Sequence, residues 1–353
     1  MVTPHSVIGS WKKFQNKDLS KDTLISYGYG DGGGGVTREM LELRRAMDKL
    51  PGLPNVKTGT AGEFFRKMHE NVDNTDRYVH TWDGELYLEY HRGTYTSQAY
   101  NKKTNRHMEN KLAQIEWLSS VAYILGGEYA QQELNDSWEC VLLHQFHDII
   151  PGSSIHEVYA DSRINYKVAE DRADGVKAKV LDSLTEKKEN TFGIYSTNSF
   201  GGKELVSIPV QGCGSFLDEE GNALEAQKTE EGYDVLVNVK PFAVTNITFV
   251  PGAEKGAGKT FVIDGSSLET PFYSISWNEE GQLVSLYDKE AGRSVLKEGE
   301  KGNVLEVYED KPMDYDAWDI DIFYTQKMET MKICRPAEVI ADDGLKAVIR
   351  FTY

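Results

Sequence analysis

Apolar positions follow a helical period through the first half of the chain and give way to short β-rich runs near residue 190. Met40, Leu43, Met47 and Leu50 recur at three- and four-residue steps, the spacing of one helix face, and Pro51-Gly52 ends that run. Met108, Leu112, Ile115, Leu118, Ala122 and Leu125 form a second stripe that stops at Gly126-Gly127. A third helix is expected over residues 133–147. A fourth should begin after Pro151-Gly152, where Ser154 and Glu157 have capping-box spacing, and continue through Tyr166 towards Leu184. Three long helices with short connections predict a bundle. Past residue 190, residues 204–210, 233–239, 244–250 and 272–277 read as strands, and Asn278-Glu279-Glu280-Gly281 as a hairpin turn into residues 282–287. Such a series predicts an antiparallel β-sandwich.

Both ends of the pattern look cut. Residues 346–353 read as a strand, and the first 60 residues offer one helix and a Gly-rich loop with no evident sheet to pack on. The expected fold is therefore multidomain α+β: a remnant of an α/β catalytic domain over residues 1–89, a helical bundle over 90–188 and a truncated antiparallel β-sandwich over 189–353.

A length of 353 residues leaves room for two or three domains. The net charge of -17 argues against a nucleic-acid partner, because phosphate backbones call for a basic face. No apolar run approaches the roughly 18 residues that span a bilayer. Cys140, Cys213 and Cys334 are widely spaced, without a zinc or disulfide framework, and the N-terminus lacks the charged and apolar regions of a signal peptide. A cytoplasmic location is the expectation. Exposed faces of a truncated domain leave a homo-oligomer open.

Four segments carry candidate chemistry. In Tyr27-Gly28-Tyr29-Gly30-Asp31-Gly32-Gly33-Gly34-Gly35, a carboxylate stands among glycines that let a ligand approach closely. Asp31 suits a general acid or a contact to a substrate hydroxyl, while the glycines alone fit a mobile loop or a phosphate cradle without its usual lysine. Residues 82–98 mix aromatics, acids and hydroxyls, as both sugar sites and ordinary cores do. His144, His147 and Asp148 would share one face of a helix, as metal ligands or as satisfied polar residues. Residues 314–321 place Tyr315 and Trp318 among four aspartates, a solvated loop or a sugar-facing one. They lack the glycine and glutamate of a calcium loop.

Taken in order, YGYGDGGGGVTREM at 27–40, GELYLEYHRGTYTSQ at 84–98, LLHQFHDIIPGSSIHEVY at 142–159 and DYDAWDID at 314–321 resemble the family 38 glycoside hydrolases, the zinc-dependent retaining α-mannosidases, most closely their cytosolic and bacterial branch. The resemblance implies His147 as a zinc ligand, Asp148 as a contact to sugar hydroxyls, Asp31 as the acid/base, and Tyr315 and Trp318 near the substrate. The implied partner is an α-mannoside or a mannose-containing oligosaccharide. Val36 stands where proline is usual and Tyr29 where histidine is common. The family also holds its zinc with a His-x-Asp pair and a nucleophilic Asp, and no His-x-Asp precedes residue 31. The chain is thus expected to be an internal fragment lacking most of the N-terminal catalytic domain, and inactive by itself. A carbohydrate-binding or scaffolding chain without hydrolase activity is the alternative, and a nucleotide-binding enzyme a more distant one.

Overall fold

The structure, a computed structural model, describes residues 2–30, 33–84, 91–253, 258, 260–342 and 344–353. Asp31 and residues 85–90 of the 84–98 segment lie outside the described residues. The chain divides into two compact units, Met1–Tyr87 and Leu88–Tyr353.

Among the described residues the first unit contains three helices: α1 (Pro4–Lys13), α2 (Arg38–Met47) and α3 (Ala61–Asp73). Each is started by a threonine hydroxyl that accepts an otherwise unpaired amide of the first turn: Thr3 from Ser6, Thr37 from Met40, and Thr60 from Glu63. The unit has its own small core. Val2, Val7 and Met47 are buried, with Ile25, Tyr27, Leu53 and Val56 packed against them. The expectation of a remnant waiting for an absent sheet is corrected, since α1 and α2 bury Val7 and Met47 with residues of the adjoining loops, whereas α3 buries no residue fully.

The second unit opens with α4 (Ala99–Ile124), α5 (Gln131–His144) and α6 (His156–Leu184). Met108, Leu112, Ile115, Leu118 and Ala122 of α4 interlock with Leu134 and Val141 of α5 and with Tyr166, Ala169, Ala173, Val176 and Val180 of α6. The small Ala169 and Ala173 on α6 let the helices approach closely.

Strands then follow in antiparallel sheets. The first group is β1 (Thr191–Tyr195), β2 (Gly202–Ile208), β3 (Gly214–Leu217), β4 (Ala223–Leu224), β5 (Ala226–Lys228), β6 (Tyr233–Val239) and β7 (Val244–Pro251). They form two sheets, ordered β1-β7-β3-β4 and β2-β6-β5. Both sheets contribute to one core of Ile208, Phe216, Ala226, Tyr233, Val235, Val237, Ile247 and Phe249, which is the alternation of a sandwich. Next come β8 (Val262–Asp264), β9 (Ser267–Glu269), β10 (Tyr273–Trp277), β11 (Leu283–Asp288) and β12 (Arg293–Ser294), a sheet of sequential antiparallel neighbours. Two further pairs are β13 (Glu306–Tyr308) with β14 (Met328–Thr330), and β15 (Glu338–Asp342) with β16 (Ala347–Arg350).

The single truncated sandwich expected over residues 189–353 is likewise corrected. Among the described residues the α+β arrangement is a helical bundle followed by five antiparallel sheets, of which the first two share a common core. The expected hairpin is present between β10 and β11. Asn278 accepts the amides of Glu280 and Gln282 on its side-chain oxygen, and Gly281 takes a φ of +79°.

Candidate functional site

Helix α5 ends at His144, three residues before the histidine that the motif emphasises. Past that point the backbone bonds shorten to three-residue steps: Phe146 N–H to Leu143, Ile149 to Phe146, and Gly152 to Ile149. The Gln145 side-chain Nε2 meanwhile donates to Asn105 Oδ1 at 3.1 Å and to Glu109 Oε1 at 2.8 Å. His144, His147 and Asp148 therefore do not share a helix face, a correction to the sequence reading. His144 is buried, its Nδ1 2.7 Å from the Cys140 carbonyl oxygen and its ring 4.6 Å from that of Tyr166. His147 is exposed and lies against the Phe146 ring at 4.2 Å. One imidazole belongs to the bundle core, and the other is free to meet a ligand.

Asp148 follows, half-buried. Its backbone carbonyl accepts the Ser154 hydroxyl at 2.5 Å, and the Tyr159 hydroxyl donates to the next carbonyl, that of Ile149, at 3.2 Å. The Ser154 amide donates in turn to the Tyr159 hydroxyl at 3.0 Å. These bonds engage the Ser154 side chain, so the expected capping box with Glu157 does not form and α6 starts at His156 without a side-chain cap. The turn leaves the Asp148 carboxylate without a hydrogen bond or ion pair among the described residues, available to polar hydrogens from outside.

A second segment packs onto this turn. Residues 91–98 make a tight 3-10 turn (Arg92–Tyr95) before α4. Gly152, at a φ of +95°, lies so close to Ser97 that a β-carbon there would be 2.6 Å from the Ser97 Cβ. The Lys102 ammonium donates to the carbonyl oxygens of Ser97 and, at 2.8 Å, of Ile150. Burial pushes that ammonium below the usual lysine range.

The third segment is bonded to the same loop. The buried Gly93 amide donates to the Trp318 carbonyl at 2.6 Å, and the Ser97 hydroxyl to the carbonyls of Gly93 at 2.7 Å and Ala317 at 3.2 Å. The His91 amide donates to the Asp319 carboxylate at 3.2 Å. Tyr315 stacks on Trp318 with ring centroids 5.5 Å apart, and the His91 ring meets Trp318 edge-on at 4.8 Å. Tyr315 is 67% exposed, so the stack presents an aromatic surface to solvent. His91, Gln98 and Tyr315 all adopt left-handed backbone, a costly conformation for such side chains, and all three lie in the segments that meet here.

Three of the four motifs therefore converge within the second unit: the His147-Asp148 turn, the 91–98 loop and the Tyr315-Trp318 loop. Asp31 falls outside the described residues. Sequence reading missed the residues that join the segments, namely Gly93, Ser97, Lys102, Gly152 and Tyr159. Of these only the glycines carry a signal, through the backbone freedom and close approach that they permit. Among the described residues no group of three or more His, Cys, Asp or Glu side chains is placed to hold a metal ion. His147 fits one ligand position of a zinc ion, but the described residues do not by themselves compose a zinc site.

Three family models match the chain in order. Glycosyl hydrolases family 38 N-terminal domain matches residues 2–85, Alpha mannosidase middle domain residues 89–184, and Glycosyl hydrolases family 38 C-terminal domain residues 268–353. The first match overturns the expectation that the chain lacks the N-terminal domain. Alpha-mannosidase G of Dictyostelium discoideum is 30% identical over 96% of the chain, and the Alpha-mannosidase of Saccharomyces cerevisiae 32% identical over 98%. Human Alpha-mannosidase 2C1 is 28% identical over 90%. The chain spans about a third of the length of these curated relatives, 34%, 30% and 29% respectively. The crystal structure of an alpha-mannosidase from Enterococcus faecalis superimposes with a TM-score of 0.63 over 90% of the chain and 42% of its own, at 16% identity, a likeness of fold.

Proposed function

Because the chain belongs to glycosyl hydrolases family 38, with three of that family's domain matches in order, we propose that the protein hydrolyses terminal α-D-mannose from mannosides or mannose-containing oligosaccharides, with retention at the anomeric carbon. The observation that carries this reading is that the turn bearing His147 and Asp148 packs on the 91–98 loop through Gly152 and Lys102, while that loop holds the backbone of Ala317 and Trp318. Sugar recognition needs acceptors for hydroxyl hydrogens and an apolar face for the pyranose ring. Asp148 supplies the first, and the Tyr315-Trp318 stack supplies the second. Asp31 would serve as the acid that protonates the leaving oxygen and then activates water. A retaining enzyme sets a second carboxylate about 5–5.5 Å from the first. His147 would help to hold a zinc ion, which when bound would supply a Lewis acid for sugar hydroxyls.

The test is turnover of an aryl α-mannoside, compared with the aryl β-mannoside and α-glucoside. Selective release from the α-mannoside, with an α-configured first product by NMR, supports the reading. Binding of mannose without turnover of any of the three would overturn it in favour of a carbohydrate-binding role. His147→Ala should lower the zinc content measured by elemental analysis, and an unchanged content removes His147 as a ligand. A cytoplasmic location and a homo-oligomeric state complete the proposal. The three free cysteines support the first, cell fractionation tests it, and light scattering tests the second.

A further inference from the structure

Lys102 stands in the first turn of α4 and forms no ion pair among the described residues. Its ammonium instead donates to two main-chain carbonyls, those of Ser97 and Ile150, which belong to two different segments of the candidate site. Two carbonyls partly replace the water that burial removes from the ammonium, so the side chain is held where it is by the segments that it joins. Each of those segments carries one half of the site. Ile150 closes the turn that presents His147 and Asp148. Ser97 belongs to the loop whose Gly93 amide and Ser97 hydroxyl hold the backbone of Ala317 and Trp318.

We propose that Lys102 is a positioning residue: by tying Ser97 to Ile150 it fixes the register between the His147-Asp148 turn and the Tyr315-Trp318 stack. It touches no substrate. Its role in sugar binding rests on the mannosidase reading, whereas its role as a tie does not. Without the tie, Asp148 and the aromatic face could move independently, and a sugar contacting both would have to order them on binding. Loss of the tie should therefore weaken substrate binding more than the chemical step.

The experiment compares Lys102→Met, which keeps the stem without its donors, with Lys102→Arg, which restores donors. Hydrogen exchange in Lys102→Met is expected to accelerate at least tenfold at the amides of both Gly93 and Gly152. The core amides of Leu112 and Tyr166 should stay unchanged, and Lys102→Arg should recover most of the protection. In the α-mannoside assay KM should rise at least fivefold with kcat within twofold. Exchange that is unchanged, or accelerated in one segment alone, overturns the proposal, as does a fall in kcat at constant KM. If Lys102→Met fails to fold, Lys102→Gln, too short to bridge both carbonyls, is read in the same way. Absence of α-mannoside turnover in the unaltered protein would refute the mannosidase reading, while the exchange result would still judge the tie.

Discussion

At Gly152 backbone conformation and space impose the same demand. Its φ of +95° is one that a β-carbon disfavours, and that carbon would lie 2.7 Å from the Ser97 carbonyl oxygen. Gly152→Ala should destabilise the second unit by about 2–4 kcal/mol, left-handed strain and overpacking together, as read from the urea midpoint. An unchanged midpoint would mean that the turn can relax. Asp234 makes a different demand. It is buried in β6, where burial alone would raise its pKa, yet the Lys346 ammonium at 2.6 Å and the Ser207 hydroxyl at 2.6 Å hold the carboxyl below its usual value. A carboxyl whose folded-state pKa is depressed stabilises the fold above its unfolded value near 3.8, and that contribution is lost as pH falls through the folded value. Lys346→Met should cost about 1.5–3 kcal/mol at neutral pH, the worth of a hydrogen bond to a charged group. The deficit should shrink as pH drops below about 4, where the unfolded chain takes up the proton. Parallel stability curves for the two proteins across pH 3–7 would show that Lys346 does not set the pKa of Asp234.

Among the elements, α4 and α6 follow the sequence period closely. Leu112 and Tyr166 are at most 1% exposed, and Leu112→Ala should cost about 2–5 kcal/mol by thermal or urea unfolding. The stripe from Met108 to Ala122 is legible because each residue in it does one job, facing the other two helices, whereas Leu125, which has the same spacing, lies past the end of α4 and is exposed. Helix ends were harder to read, because capping depends on which other partners a side chain finds. Ser154 has the spacing of a capping box but spends its hydroxyl on Asp148. Thr60 and Glu63 have the same spacing and do form the box, with bonds of 3.2 and 3.3 Å. Thr60→Ala should lower the helicity of α3 and cost about 1 kcal/mol, and no change by circular dichroism would make the cap incidental. The short strands were lost to sequence reading for another reason. Those of two or three residues, such as β4, β12 and β13, are too brief for a two-residue period, and β13 is exposed along its whole length.

For the molecule as a whole, charge and convergence matter more than any one contact. A net charge of -17 places the sequence pI near 5.0. Solubility should pass through a minimum close to that pH as mutual repulsion vanishes, and a flat turbidity profile from pH 4 to 8 would contradict this. The residue types of the candidate site were legible in the four motifs, but their assembly was not. Nothing in the spacing of His147 and Trp318, separated by most of the second unit, tells that Gly93 and Ser97 lie between their two segments. The expectation that the N-terminal domain is lacking failed at this scale too. Composition and periodicity report elements, whereas the assignment of residues 2–85 came from a domain match.

The hydrogen bond from Gly93 to Trp318 has a consequence for anyone who recombines this protein with a relative. Exchange points would naturally be set in the connections between the helical bundle and the sheets. A chimera cut there takes the Gly93 loop from one parent and the Trp318 loop from the other. Each half could fold faithfully and the aromatic face still be misaligned. Crossovers that inherit residues 91–98, 146–154 and 314–319 as a single block avoid that failure, although those residues are far apart in the chain.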